Sequence, residues 1–147
     1  MTTASMIENL EWSALPVRSL AQSWRILLTS RMERHPAISG ELAYDILVTA
    51  SELITNAVEH APPDDPITLR VRLAESWAWL GLWDASNMPP MPKPQTFSQE
   101  AADLDGIVAA LHENGRGLQI VRALASDQGV QFTPPKGKWV WSSFQFT

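Results

Sequence analysis

Apolar residues along this chain recur first at helical spacing and then at strand spacing. Leu20, Trp24, Leu27 and Leu28 predict a helix that opens at Pro16, where a first turn tolerates the missing N–H, and ends near Met32. The short piece before it, residues 7–12, is assigned no element. His35, Pro36 and Gly40 interrupt the pattern, and a second helix is predicted over 41–60 with Leu42, Ile46, Leu53 and Ala57 facing inward. The Pro/Asp turn at 61–66 cannot continue it. Beyond that turn the period becomes two. Ile67, Leu69, Val71 and Leu73 alternate with Thr68, Arg70 and Arg72, which predicts a strand with one buried and one wet face. After a hairpin turn at 74–76, residues 77–84 read as a second strand. Ala78, Leu80, Leu82 and Asp84 share one of its faces, and Trp77, Trp79 and Trp83 the other.

Residues 86–100 are irregular, because four prolines between Pro89 and Pro94 exclude both a helix and a central strand. In a compact domain such a stretch marks a functional loop. A short helix near 104–111 follows. Another helix opens after Gly115 and Gly117 and is marked by Leu118, Val121, Leu124 and Ala125. Two last strands, 130–133 and 138–146, are joined by a turn at Pro134, Pro135 and Gly137. No repeat or low-complexity linker is present. This order predicts an α+β, two-layer sandwich, in which helices cover one face of a mostly antiparallel mixed sheet.

Length and composition narrow the classes. The 147 residues suit one domain spanning 1–147, and 45% apolar with 18% charged residues is globular. A net charge of -5 with scattered Lys and Arg gives no footprint for direct nucleic acid binding. Without cysteine there is no disulfide framework or thiolate zinc site, and the three histidines are dispersed. The N-terminus lacks a secretory signal, and no apolar run approaches the roughly 20 residues that span a bilayer. A cytoplasmic protein with no membrane contact is expected.

Three groups of residues carry candidate chemistry. Glu52, Asn56 and His60 recur every four residues and line one stripe of the second predicted helix. A carboxylate can orient or deprotonate a hydroxyl, and an amide oxygen one turn later can ligate a hard cation such as Mg²⁺, so the stripe suits phosphoryl chemistry. A solvated helix face would look the same. Asp84 closes an apolar strand, where a carboxylate needs specific donors; a bound amine would serve, and so would a turn that it caps before Ser86. Gly115, Arg116 and Gly117 precede a helix whose free N–H groups point outward, an arrangement open to phosphate, although glycines also begin helices for turn geometry alone. Arg18, Arg25, Arg31 and Arg34 ride with the first helix, either as a solvated face or as a surface for an acidic protein.

In combination and order, these motifs resemble the ATP-binding domain of the GHKL superfamily, which includes gyrase-type ATPases, sensor histidine kinases and anti-sigma factor serine/threonine kinases. A helix with E-x-x-x-N-A-x-x-H-A from Glu52, a strand ending in Asp84, a Pro-rich loop and G-R-G-L-x-I-V from Gly115 carry the resemblance. ELITNAVEHA, DASNMPPMP and ENGRGLQIV are similar to the anti-sigma factor kinase group. The resemblance implies a Bergerat-type fold with ATP and Mg²⁺ as cofactors. It implies that Glu52 activates the attacking hydroxyl or water, that Asn56 ligates Mg²⁺, and that Asp84 accepts from the adenine amino group. Gly115, Arg116, Gly117 and Leu118 would hold phosphates, and residues 86–114 would form a lid. His60 would pack under the site or bond the adjacent backbone.

Two departures stand out. Ala85, Ser86, Asn87 and Met88 lead into prolines where the wider superfamily has glycines. Lys138 and Trp139 stand where many relatives have threonines, which implies the loss of one polar contact beneath adenine.

The activity implied is a regulatory protein kinase that phosphorylates Ser or Thr of an antagonist protein and sequesters a sigma factor by partner switching. The alternative is a nucleotide-binding interaction module without phosphotransfer. A detached histidine-kinase domain fits less well, since no helical hairpin with a phosphoacceptor His precedes it. Trp77, Trp79, Trp83, Trp139 and Trp141 would form an apolar patch suited to a homodimer if they share an uncovered sheet face, and mere packing if helices cover them.

Overall fold

The alternation that begins at Ile67 folds as its period demands. In the computed structural model, which describes residues 6–36, 38–90 and 126–145, β2 (Ile67–Ala74) and β3 (Trp77–Asp84) pair antiparallel, with Leu69 opposite Leu82 and Val71 opposite Leu80. All four of these side chains are buried. β5 (Lys138–Gln145) pairs with the other edge of β3, and β4 (Asp127–Phe132) lies outside it. β1 (Met6–Ala14) closes the opposite side on β2. The described strands thus form one sheet in the order β1-β2-β3-β5-β4, with every neighbouring pair antiparallel.

β1 corrects the sequence reading, which assigned no element there. Its period of two is present, since Leu10, Trp12 and Ala14 turn inward while Asn9, Glu11 and Ser13 reach water. Glu8 interrupts the inward row and has polar partners there. His35 Nε2 lies 3.2 Å from Glu8 Oε1 and Arg31 contributes at 3.6 Å, which fastens β1 to the end of the first helix.

That helix, α1 (Leu20–Met32), starts four residues after Pro16 rather than at it. Its buried residues are Leu20, Trp24, Leu28 and Met32, a single i, i+4 row, so Trp24 is core and Leu27 falls off the row into solvent. α2 (Gly40–His60) turns Ile46, Ala50, Leu53, Ile54 and Ala57 into the same core. Its first turn is capped by Ser39, whose Oγ accepts from the Leu42 N–H at 3.1 Å. Ser39→Ala is expected to cost about 1 kcal/mol, read as a lower denaturation midpoint at unchanged slope.

Along α2, partial burial and, second, Glu41 one turn earlier raise the Asp45 carboxyl above its ordinary range. A raised carboxyl favours folding while protonated, and that contribution is lost as pH rises through the folded pKa. Asp45→Asn is therefore expected to raise the melting temperature slightly at neutral pH and to have no effect at about pH 3, where both forms are uncharged.

The outer face of the sheet is aromatic. Trp77, Trp79, Trp83, Trp139 and Trp141 all point away from the helices, and each is half-buried. The Trp79 and Trp139 rings lie 6.2 Å apart at a tilt, with the Arg70 guanidinium 4.4 Å from the centre of Trp139 and that of Arg72 5.5 Å from Trp79. Trp141 lies across Gly129, where an added Cβ would come within 2.6 Å of its ring. Trp79, Trp83, Trp139 and Trp141 are covered by one another, by arginines and by glycine backbone, so this part of the face is neither the bare patch nor the helix-covered packing that the sequence offered as alternatives.

Candidate functional site

α2 packs on β3, which brings the stripe and the Asp84 strand into one layer contact. The stripe is not uniformly solvated. Glu52 is buried, Asn56 is half-buried and His60, the last residue of the helix, is exposed, with Nε2 3.7 Å from Glu59 Oε2. The stripe therefore runs from interior to surface as α2 passes beyond the edge of the core. His60 lies exposed at the helix end, which corrects the first of the two expectations for it, packing beneath a site.

A carboxylate with an amide one turn away is a hard-oxygen donor set, and it fits Mg²⁺ that takes its remaining ligands from phosphates and water. Among the described residues no group of three His, Cys, Asp or Glu side chains converges as an all-protein metal cage. A cleft of about 650 Å³ adjoins the outer end of the stripe, between Pro16, Arg18 and Ala21 on one side and Thr55, Glu59 and His60 on the other. Glu52, Asn56 and Asp84 do not line it.

Asp84 ends β3 with only 5% of its surface exposed. It caps the turn after the strand, since Oδ1 accepts from the Ser86 N–H at 2.8 Å. The same carboxylate also holds a cation. Lys138, the first residue of β5, stands opposite Asp84 in register and donates from Nζ to Oδ1 at 2.9 Å and to Oδ2 at 3.1 Å. A third contact runs to the Ser86 carbonyl oxygen at 3.4 Å. Lys138 is 4% exposed, so both charges sit inside the protein and neutralise each other. Asp84 therefore fits an amine donor less well than a free carboxylate would.

The expectation at Lys138 concerned a contact beneath adenine; what the fold adds there is a charged contact, and it falls on the very carboxylate expected to read adenine. The signal was present in the strand pattern. Lys138, Ser142 and Phe144 alternate along the buried face of β5, and a Lys in that row requires an anion.

The backbone around the pair is fixed. Asn87 Oδ1 accepts from the Gly137 N–H at 2.8 Å, which clamps the exit of β3 to the β4–β5 turn. Gly137 has φ of 90°, and a Cβ there would come within 2.7 Å of the Asp84 carbonyl oxygen. Only glycine suits both the dihedral and the space. Of the expected lid, 86–90 are described, held by Ser86 and Asn87. The remainder, with Gly115, Arg116, Gly117 and Leu118, lies outside the described residues.

No curated protein matches the chain. A family model described as the histidine kinase-like ATPase domain matches residues 14–144. That match runs from the last residue of β1 through α2 and Asp84 to Phe144 in β5, taking in the other four described strands and the carboxylate–amide stripe, and the chain belongs to the histidine kinase-like ATPase domain family.

Proposed function

We propose that the protein is a cytoplasmic, ATP-dependent protein kinase of the anti-sigma factor type. It phosphorylates Ser or Thr of an antagonist protein and sequesters a sigma factor when the antagonist is absent. The observation that carries this reading is the buried Glu52 carboxylate one helical turn from the half-buried Asn56 amide on a helix that reaches the surface. A binding domain alone has no need of a carboxylate at that place, whereas a phosphotransferase needs a proton acceptor.

ATP with Mg²⁺ supplies the transferable phosphoryl group and the charge neutralisation it requires. Asn56 holds the metal through its amide oxygen, and Glu52 orients the incoming hydroxyl and takes its proton. The glycine box, Gly115 to Leu118, would receive phosphates.

For protein partners, the outer side of α1 is the favoured surface. Ile26 and Leu27 are 61% and 45% exposed, flanked by the exposed Arg18, Arg25 and Arg34, and an apolar centre with a cationic rim fits an acidic protein segment. The experiment is transfer of labelled γ-phosphate from ATP to a cognate antagonist, with Asn56→Ala alongside. Transfer that disappears in Asn56→Ala supports the reading; the absence of both ATP binding and transfer in the unmodified protein removes it.

The Asp84–Lys138 pair favours a second reading, a nucleotide-shaped interaction module without phosphotransfer. ATP binding without transfer, together with regulatory output unchanged by Glu52→Ala, would select it.

A further inference from the structure

We propose that Lys138 sets the base selectivity of this site, withdrawing Asp84 from a 6-amino group and offering an ammonium donor to a 6-oxo group, so that the site takes purine nucleoside triphosphates without preferring adenine. The proposal rests on the reading that the site holds a purine nucleotide. Its basis is the hydrogen-bond inventory at the end of β3. Asp84 Oδ1 already accepts from Ser86 N–H and from Lys138, and Oδ2 accepts from Lys138 as well. The carboxylate is charge-compensated before any ligand arrives. An exocyclic amine would add a donor to a group whose negative charge is already spent.

The ammonium side has the opposite character. Nζ carries three protons and no lone pair, so it can only donate. Two protons go to Asp84 at 2.9 and 3.1 Å, and the third goes to the Ser86 carbonyl at 3.4 Å, the longest contact of the three. A ligand carbonyl can replace that weakest contact without breaking the ion pair. A purine with oxygen at position 6 offers that acceptor to the ammonium. Adenine offers an amine in place of the oxygen.

Lys138 cannot readily leave. Its backbone is paired with β3, and the Asn87–Gly137 bond closes the adjacent turn. Withdrawing the ammonium would also strand a buried carboxylate, which is strongly unfavourable.

The test is calorimetric titration of the unmodified protein and of Lys138→Thr with Mg·ATP and with Mg·ITP, whose bases differ in the 6-amino and 6-oxo groups. The unmodified protein is expected to bind ITP at least as tightly as ATP. Lys138→Thr is expected to prefer ATP by about ten- to a hundredfold, the scale of one hydrogen bond to an uncompensated carboxylate. A tenfold or greater preference of the unmodified protein for ATP overturns the proposal while leaving the nucleotide site standing. So does a folded Lys138→Thr with no gained preference. If neither nucleotide binds either protein, the nucleotide reading itself fails and takes the proposal with it. The comparison on the unmodified protein needs no variant and decides even where Lys138→Thr does not fold.

Discussion

Glu52→Gln is expected to lower phosphate transfer to the antagonist by about 10²–10⁴-fold, the usual contribution of a positioned general base. Glutamine keeps the length and shape of the side chain, so the buried turn of α2 around Ile54 and Leu53 stays packed. What it removes is the site for the hydroxyl proton. Nucleotide affinity is expected to stay within about threefold, because the loss falls on the transition state rather than on ground-state binding. Calorimetry beside the transfer assay separates the two. Equal loss of binding and transfer would reassign Glu52 to holding the nucleotide, and transfer unchanged in Glu52→Gln would remove it from the chemistry.

Asp84→Ala is expected to destabilise the protein by about 3–5 kcal/mol, because it leaves the Lys138 ammonium buried without its counter-ion. For a domain of this size that is a fall in melting temperature of roughly 10–20 °C. Replacing both partners, Asp84→Leu with Lys138→Met, should recover most of the loss, since two apolar groups leave no charge stranded. The cost should be nearly independent of salt. The exposed Lys136–Asp65 pair at 3.2 Å provides the contrast, since removing either member should cost no more than about 1 kcal/mol and less in high salt. A loss at Asp84 as small as that of the surface pair would mean that water reaches the ions, and the base-selectivity argument would lose its footing.

The two predictions concern two parts of the proposed site. Glu52 belongs to the stripe, where the residue types and their spacing pointed to the chemistry. Asp84 belongs to the strand end, where the family resemblance implied an adenine acceptor and the fold supplied a cation. Gly115 to Leu118 remain an expectation from motif alone.

Much of the fold was legible because periodicity survives folding. The period of two from Ile67 to Asp84 gave β2, β3 and their inward residues, and β3 keeps the bounds read from its pattern. α2 kept its length to within a residue because Ser39 and the Pro/Asp turn mark its ends chemically. β1 was missed because an edge strand has one wet face, and its inward row includes Glu8, whose partners are Arg31 at the far end of α1 and His35 just beyond it. The start of α1 was misplaced because Pro16 permits a first helical turn without compelling one.

The sequence by itself determined the local elements and the neighbourhoods along the chain: which residues share a helix face, which alternate across a strand, and that a carboxylate and an amide stand one turn apart. Only the tertiary structure decided the pairing of Asp84 with Lys138, because strand order and register join residues far apart in the chain. The identity of a buried ion's partner depends on that register. The same register laid the tryptophan rings on arginines and glycines. A charge buried at the end of a strand must be compensated, and the sequence states that requirement; the residue that meets it is chosen by the sheet.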